Sequence, residues 1–427
     1  MMINVLIVGS GGREHAFTWK ASQSDLVEKI FIAPGNAGTS LEPKAENIDI
    51  SVTDIDALVS FSKKEDIDLV IVGPEDPLVN GITDAFKEAG INCFGPESLG
   101  AQLEGSKDFA KAFMKRHNIP TASYKSFADA NEAKKYIQEN ELPQVIKADG
   151  LAAGKGVVII EDYETAYKTI DEFISETKYG DASRKIIIED FLKGQEVSYI
   201  VMVNGTDYLP LATSQDHKTI GEGDIGLNTG GMGAYSPVPF VDDELDIIIN
   251  KEIIEPTVRG LSKDGIAFRG FLYAGLMIDS NLNPKVLEYN CRFGDPETQP
   301  IMLRLKSDLI EMIQTCFSGN IRDYDIEWDK KSAMGVVISS IGYPEAYEIG
   351  KEISGLDTLY DKNDIKVFHS GTRIENHNIL TNGGRVLCVT ALGDGLSESY
   401  DNAYSAVNQI HWDGKYYRKD IGFRVMK

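Results

Sequence analysis

Glu288, Asn290 and Arg292 stand at alternate positions of a strand-like run, Lys285 to Asn290, that leads into Cys291-Arg292-Phe293-Gly294-Asp295-Pro296-Glu297-Thr298-Gln299. A period of two places the three side chains on one face. Two oxygen donors and a cation on one face suit a hard divalent ion held between phosphates, with the guanidinium opposite an oxygen that gains charge. The plainer alternative is a buried ion pair of Glu288 with Arg292. The neighbouring strand offers only Asp279 at its end, so such an ion would draw much of its coordination from substrate phosphates and water.

Two glycine-rich segments offer places for phosphate. Gly9-Ser10-Gly11-Gly12-Arg13-Glu14 follows a first apolar run and opens a helix, where backbone amides and the helix N-terminus suit an anion. A dinucleotide is disfavoured, because Glu14 takes the place of the last small residue and the second strand ends in Ala33-Pro34-Gly35 without a ribose-binding acid. Arg13 suits a single phosphate, although a plain strand-to-helix turn would read the same way. The second segment, Gly150-Leu-Ala-Ala-Gly154-Lys155-Gly156, is one residue short of a Walker loop and lacks a following Ser or Thr. It joins the strands Val145 to Lys147 and Val157 to Ile160, so a hairpin folding over a triphosphate is expected, with Lys147 and Lys107 directed at the phosphates. A mobile surface hairpin fits those residues as well. The strand Lys185 to Glu189 runs off into Asp190-Phe191-Leu192, an end whose backbone can pair with an adenine edge. Glu196 lies beyond it, placed for ribose hydroxyls. A solvated acidic edge is the alternative there.

The elements that carry these residues predict an α/β protein. At about 150 residues per domain, 427 residues suggest roughly three domains. Runs at Ile3 to Val8, Lys29 to Ala33, Leu69 to Val72 and Ile91 to Phe94 alternate with helical stretches, as βαβ units around a parallel sheet do. A helix is expected at Lys107 to Arg116, then strands around the glycine hairpin and a long helix from Tyr163 to Lys178. Gly221 to Gly233 reads as a ligand-touching loop, Gln299 to Phe317 as one helix, and the last ninety-odd residues as a separate set of strands with a helix at Ser397 to Ile410. Asp and Glu number 66 against 43 Lys and Arg, a formal charge of −23 that argues against nucleic acid or anionic membrane as partner. No apolar run nears the ~20 residues needed to span a bilayer. Four separated cysteines and an N-terminus without a signal pattern point to the cytoplasm. The six histidines form no zinc-ligand pattern.

Taken in order, Gly9 to His15, Gly105 to Lys107, Ile146 to Val157, Gln215-Asp-His-Lys218, Asn228 to Pro237 and Arg292 to Gln299 resemble the glycinamide ribonucleotide synthetases, a family of ATP-grasp ligases. The resemblance spans most of the chain, and the Arg292 to Gln299 octet is its most specific part. It implies a Rossmann-like N-terminal domain over 1–104, a central ATP-grasp domain over 105–328 with a lid near 123–190, and a small C-terminal α/β domain over 329–427. It implies ATP as co-substrate, Mg²⁺ or Mn²⁺, and ligation of phosphoribosylamine to glycine through an acyl phosphate in purine synthesis. A monofunctional monomer is expected, with a dimer left open.

Roles carry over position by position. Glu288 and Asn290 match the metal ligands, and Lys107 and Lys147 the ATP-phosphate lysines, under the Gly154-Lys155-Gly156 hairpin. Glu189, Asp190 and Leu192 fall where adenine is met, and Glu196 where ribose is. Gly9, Ser10, Gly11, Gly12 and Arg13 match the amine-substrate loop. Asp216, Lys218, Asn228, Gly230, Gly231 and Met232 close around the sugar phosphate. Arg292 and Asp295 match the arginine beside the acyl phosphate and the acid beside glycine. Thr219, Ile225 and Leu227 depart from the usual Arg, Lys and Pro and bear on sugar-phosphate affinity. Two rivals are a related ribotide ligase or carboxylase, separated by substrate competition, and a non-catalytic nucleotide sensor, which would have no need of the metal pair with Arg292.

Overall fold

A computed structural model of the chain describes residues 2–152, 156–360 and 362–426. Gly154 and Lys155 lie outside the described residues.

The first apolar runs pair as a five-stranded parallel sheet. Ile3–Gly9 is central, flanked by Val27–Pro34 and Leu69–Val72, with Ala45–Asn47 and Asn92–Phe94 outermost. Val5 to Val8 are fully buried, as a strand covered on both faces requires. Parallel pairing brings the carboxyl ends of three strands, and the loops that start at Gly9, Gly35 and Gly73, to one edge of the sheet.

The segment from Tyr124 to Asp190 forms a four-stranded antiparallel sheet covered by helices Ala130–Gln138 and Tyr163–Ile170. Gln144–Ala148 and Val157–Ile160 pair as the hairpin expected around the glycine segment. A second antiparallel sheet joins Asp207–Pro210, Gln195–Asn204, Arg269–Ile278 and Pro284–Asn290. Its last pair slips between Gly275 and Leu276, so Leu287 bulges immediately before Glu288. The third sheet runs Gln215–Asp216, Gly233–Ser236, Ser332–Ser340, Arg385–Gly393, Ile365–His369 and is covered by helix Leu396–Val407. Two of its strands thus come from the middle of the chain.

Three expectations are corrected. The helix expected over Gln299 to Phe317 is two helices, Thr298–Arg304 and Leu309–Ser318. Asp308 starts the second by accepting from the Ile310 and Glu311 amides, and the Lys306 amide turns out to bond Glu327. The Tyr163 helix widens into a π turn over Asp171–Ser175 and stops before Thr177, whose φ is +47°. Gly221 to Gly233 is not an open loop: Thr219–Gly221 and Ile225–Asn228 form a small hairpin, and Met232 is fully buried.

Candidate active site

The bulge at Leu287 frees a carbonyl, and Lys147 Nζ takes it at 3.2 Å. Lys147 and Lys111 both form ion pairs with Glu189, all three side chains being buried. Burial alone would raise the Glu189 carboxyl, but the two lysines outweigh it and keep the group ionised. The Glu189 side chain is therefore committed to Lys147, and only backbone groups of Glu189 to Leu192 remain for a base edge. Strand pairing ends there, at Asp190. Lys107 begins helix Lys107–Arg116 and donates to the Gly150 carbonyl at 3.2 Å. Gly150 packs tightly: a Cβ there would come 2.8 Å from Ala182 Cα, so a close approach requires this glycine.

Glu288 faces Lys218 at 3.6 Å, and Lys218 reaches Glu196 at 3.2 Å. Burial pushes the Glu288 carboxyl up, yet Lys218, then Lys147, Lys107 and Arg292, prevail and hold it at about 2. Of these four cations Lys218 is within ion-pair distance, and the other three act from farther away. Asn290 stands beside it, its amide oriented so that nitrogen donates to Glu104 Oε1 at 3.1 Å and to the Tyr289 carbonyl at 3.0 Å, which leaves the oxygen as acceptor.

Arg292 does not pair with Glu288. Its Nε lies 3.1 Å from Glu75 Oε2 and its Nη2 2.8 Å from Glu104 Oε1, while Nη1 donates to the Phe293 carbonyl at 3.2 Å. Arg292 lowers the Glu75 carboxyl to about 2, and burial raises the Glu104 carboxyl to about 7 against the pull of the same arginine. Glu75 sits just past a parallel strand, as the first residue of the short helix Glu75–Val79.

The Gly9 to Arg13 loop lies next to this. Glu14 Oε2 accepts from the Gly11 amide at 2.6 Å and Oε1 from Arg13 Nε at 2.5 Å, while Arg13 Nη1 donates to the Phe293 carbonyl at 3.1 Å. Glu14 is wedged so tightly that a Cβ on Gly9 (φ +132°) would come 2.4 Å from its Cγ and one on Gly73 1.9 Å from its Oε1. Asn36 ties this loop by donating to the Ser10 carbonyl at 2.8 Å. A Cβ on Gly11 would meet Asp295 Oδ2 at 3.2 Å, and one on Gly12 would meet Gln299 Nε2 at 2.5 Å.

Asp295 is fixed by Gln299 at 2.8 Å and by Arg385 at 3.2 Å. Against the upward push of burial, Arg385 and then Arg13 draw its carboxyl below the usual range. Asp216 behaves oppositely: burial, then Glu297, raise it well above that range and favour the protonated form. Asp216 Oδ1 also accepts from the His217 amide at 2.6 Å. Asn228 pairs with Thr219 in the hairpin. Gly231, at φ +110°, stacks so closely on Pro296 and Asp216 that a Cβ would come 2.4 Å from Pro296 Cδ. Met232 lies behind, its amide bonded to His217 and its carbonyl to Val337, and supports the loop from beneath. Thr219 is held through its carbonyl and hydroxyl by Arg418 at 3.2 and 3.1 Å, and Ile225 and Leu227 are exposed on the hairpin.

Sequence reasoning missed Glu75, Glu104, Lys111, Glu297, Tyr343 and Arg385. Glu75 carried a signal, since the carboxyl ends of parallel strands are where α/β sheets bind ligands, and Glu297 lay within the Arg292 to Gln299 octet. The site thus gathers an ionised carboxylate near lysines and an arginine paired with buried acids. Such a set of groups can neutralise a polyphosphate and orient smaller polar molecules against it.

The chain matches three family models: the phosphoribosylglycinamide synthetase N domain over residues 3–104, its ATP-grasp (A) domain over 105–298 and its C domain over 333–424. It is 54% identical over 426 residues to a phosphoribosylamine–glycine ligase of Salmonella typhi, covering 100% of this chain and 99% of that protein. The crystal structure of a phosphoribosylamine–glycine ligase from Thermotoga maritima superposes with a TM-score of 0.83 at 33% identity, over 98% of this chain and 100% of that one. A biotin carboxylase domain of Hydrogenobacter thermophilus 2-oxoglutarate carboxylase, solved with MgADP and bicarbonate, shares the fold at a TM-score of 0.75 and 15% identity, over 98% of this chain and 92% of that one.

Proposed function

Because the chain belongs to the phosphoribosylglycinamide synthetase family, we propose that it joins phosphoribosylamine to glycine with conversion of ATP to ADP and phosphate, a ligation of purine biosynthesis. The observation that carries the reading is the Glu288 carboxylate, held at about 2 beside Asn290 with Lys107, Lys147, Lys218 and Arg292 around it. The family uses ATP and a divalent metal ion. The donors here fit one: an ionised carboxylate and an amide oxygen are hard ligands, and among the described residues no cluster of three or more His, Cys, Asp or Glu side chains offers a softer or fuller set. Glu288 and Asn290 would hold Mg²⁺ or Mn²⁺, which when bound neutralises charge on the transferring phosphoryl group.

A carboxylate is a poor electrophile until one of its oxygens becomes part of a leaving group. The glycine carboxylate oxygen attacks the γ-phosphorus, the bond to the bridging oxygen breaks, and ADP leaves. The amine nitrogen of phosphoribosylamine then attacks the glycyl carbonyl, the carbon–oxygen bond breaks, phosphate departs and the nitrogen loses a proton. Lys107 and Lys147 hold the nucleotide phosphates, and the backbone of Glu189 to Leu192 and Glu196 meet the nucleoside. Gly9 to Arg13, Lys218 and Asn228 to Gly231 hold the amine substrate. Arg292 faces the acyl phosphate and Asp295 the glycine ammonium. The division 1–104, 105–328 and 329–427 assigns the amine loop, the ATP site with its 123–190 lid, and the sheet behind the loops. The lid excludes water, which would hydrolyse the acyl phosphate. No described helix is long and apolar enough to cross a membrane; a cytoplasmic monomer acting on small molecules completes the reading.

The test is ATP-dependent phosphate release with and without glycine and freshly generated phosphoribosylamine, with glycine labelled by ¹⁸O in its carboxylate. Release that requires both, with one labelled oxygen in the phosphate, is the expected result. Release with another ribotide, or unlabelled phosphate, overturns the substrate or the intermediate respectively.

A further inference from the structure

Both backbone polar groups of one residue in the amine-substrate loop, Gly230, are held by side chains from the last hundred residues. The Gly230 amide donates to Tyr343 Oη at 3.0 Å, and its carbonyl accepts from Arg385 Nη1 at 2.5 Å. The same Nη1 donates to the Asp295 carbonyl at 2.7 Å, while Nη2 lies 3.2 Å from Asp295 Oδ2. The guanidinium therefore bridges two segments that also meet directly at Gly231 and Pro296. Its seat is shaped by glycines: a Cβ on Gly230 would come 2.9 Å from Arg385 Cζ, and one on Gly384 would strike the Tyr343 ring at 2.3 Å. Around Arg385 the charged and ionisable groups are Asp295, Tyr343, Asp216 and Glu297. A planar fork that stays charged suits this arrangement as lysine does not, because two carbonyls and a carboxylate must be met in fixed directions.

We propose that Arg385, with Tyr343 as its partner, is a positioning residue for the two non-nucleotide substrates: it fixes the Gly230 peptide and the Asp295 carboxylate relative to each other. The C-terminal sheet in this way sets affinity for glycine and phosphoribosylamine while leaving ATP affinity to the lysines of the central region. The inference rests on the reading of Asp295 and Asn228 to Gly231 as substrate contacts.

The experiment uses Arg385→Gln, Arg385→Lys and Tyr343→Phe in the full chain, with KM measured for each of the three substrates and amide hydrogen exchange followed over residues 228–233. Loss of a charge-assisted bond predicts a rise of about tenfold or more in KM for glycine and phosphoribosylamine in Arg385→Gln, with KM for ATP within about twofold. Arg385→Lys recovers part of the loss, and Tyr343→Phe speeds exchange at Gly230. Unchanged KM values for glycine and phosphoribosylamine, or an equal rise for all three substrates, overturn the proposal. Should Arg385→Gln fail to fold, Arg385→Lys and Tyr343→Phe decide by the same criteria. If the wild-type chain releases phosphate without needing both substrates, it is the ligase reading that fails. Exchange over 228–233 still tests the clamp, and rates unaltered in every variant refute it.

Discussion

Arg292 Nη2 lies 2.8 Å from Glu104 Oε1, and the other Glu104 oxygen accepts the Cys291 amide at 2.7 Å, so one buried carboxylate fixes both the arginine and the backbone that leads to it. Glu104 lies in the last turn of the helix Ser98–Gly105, and this contact joins that helix to the strand end carrying the candidate metal ligands. Removing it would strand a guanidinium and an amide in a buried setting.

Glu104→Ala is accordingly expected to destabilise the protein by about 3 kcal/mol. Denaturant unfolding of the variant against wild type checks it. A loss of a few tenths would mean that water or Glu75 replaces the carboxylate without cost.

Glu288→Ala is expected to lower turnover about a thousandfold or more, since several kcal/mol of charge stabilisation depend on the ion it would hold. Glu288→Gln should fall nearly as far while keeping the fold. An undiminished rate in either variant contradicts the metal assignment.

His217 gives the fold an acid limit. Its Nε2 accepts from the Gly422 amide at 3.0 Å and its Nδ1 lies 3.3 Å from the Gly233 carbonyl, an arrangement that needs the neutral ring. Burial, then Arg424 and Arg418, lower its pKa to about 3. The unfolded chain, with an ordinary histidine near 6.5, binds more protons between those values, so stability falls as pH drops from about 6.5 towards 3. By pH 4 the loss from this group alone is about 3 kcal/mol. Thermal melts of wild type and His217→Gln across that range should diverge in slope, the variant being flatter; parallel slopes would assign the acid sensitivity elsewhere.

Gly73→Ala is a test of the wedge. An added Cβ would come 1.9 Å from Glu14 Oε1, so Glu14 must move and release Arg13 and the Gly11 amide. KM for phosphoribosylamine is expected to rise about tenfold with KM for ATP little altered. Equal KM values in variant and wild type would show that the loop does not depend on Glu14.

Local pattern carried much of this molecule. The strands at Ile3, Leu69 and Val157 and the helix Lys107–Arg116 are legible because apolar periodicity decides them. The strand that carries Glu288 and Asn290 is legible by its alternation, whereas Arg292 lies past its end and is placed by Glu75 and Glu104. Glu104, Arg385 and Tyr343 are not legible: each is an isolated polar residue whose partners lie far along the chain, at Cys291, Asp295 and Gly230, and only the sheet topology brings them together. The break between Arg304 and Leu309 was hidden for a similar reason, since Glu327 accepts the Lys306 amide. Met232 read as loop because its strand neighbours, His217 and Val337, flank it only in three dimensions.

The third sheet imposes an order on biosynthesis. Gln215–Asp216 and Gly233–Ser236 emerge early, but the strand that Gly233–Ser236 joins, Ser332–Ser340, is made about a hundred residues later. The parallel sheet and the Tyr124 to Asp190 sheet can be complete while Gly233–Ser236 still waits for the end of the chain. A prematurely terminated product lacking Ser332–Ser340 would leave Gly233–Ser236 without its partner strand, however complete the sheets before it.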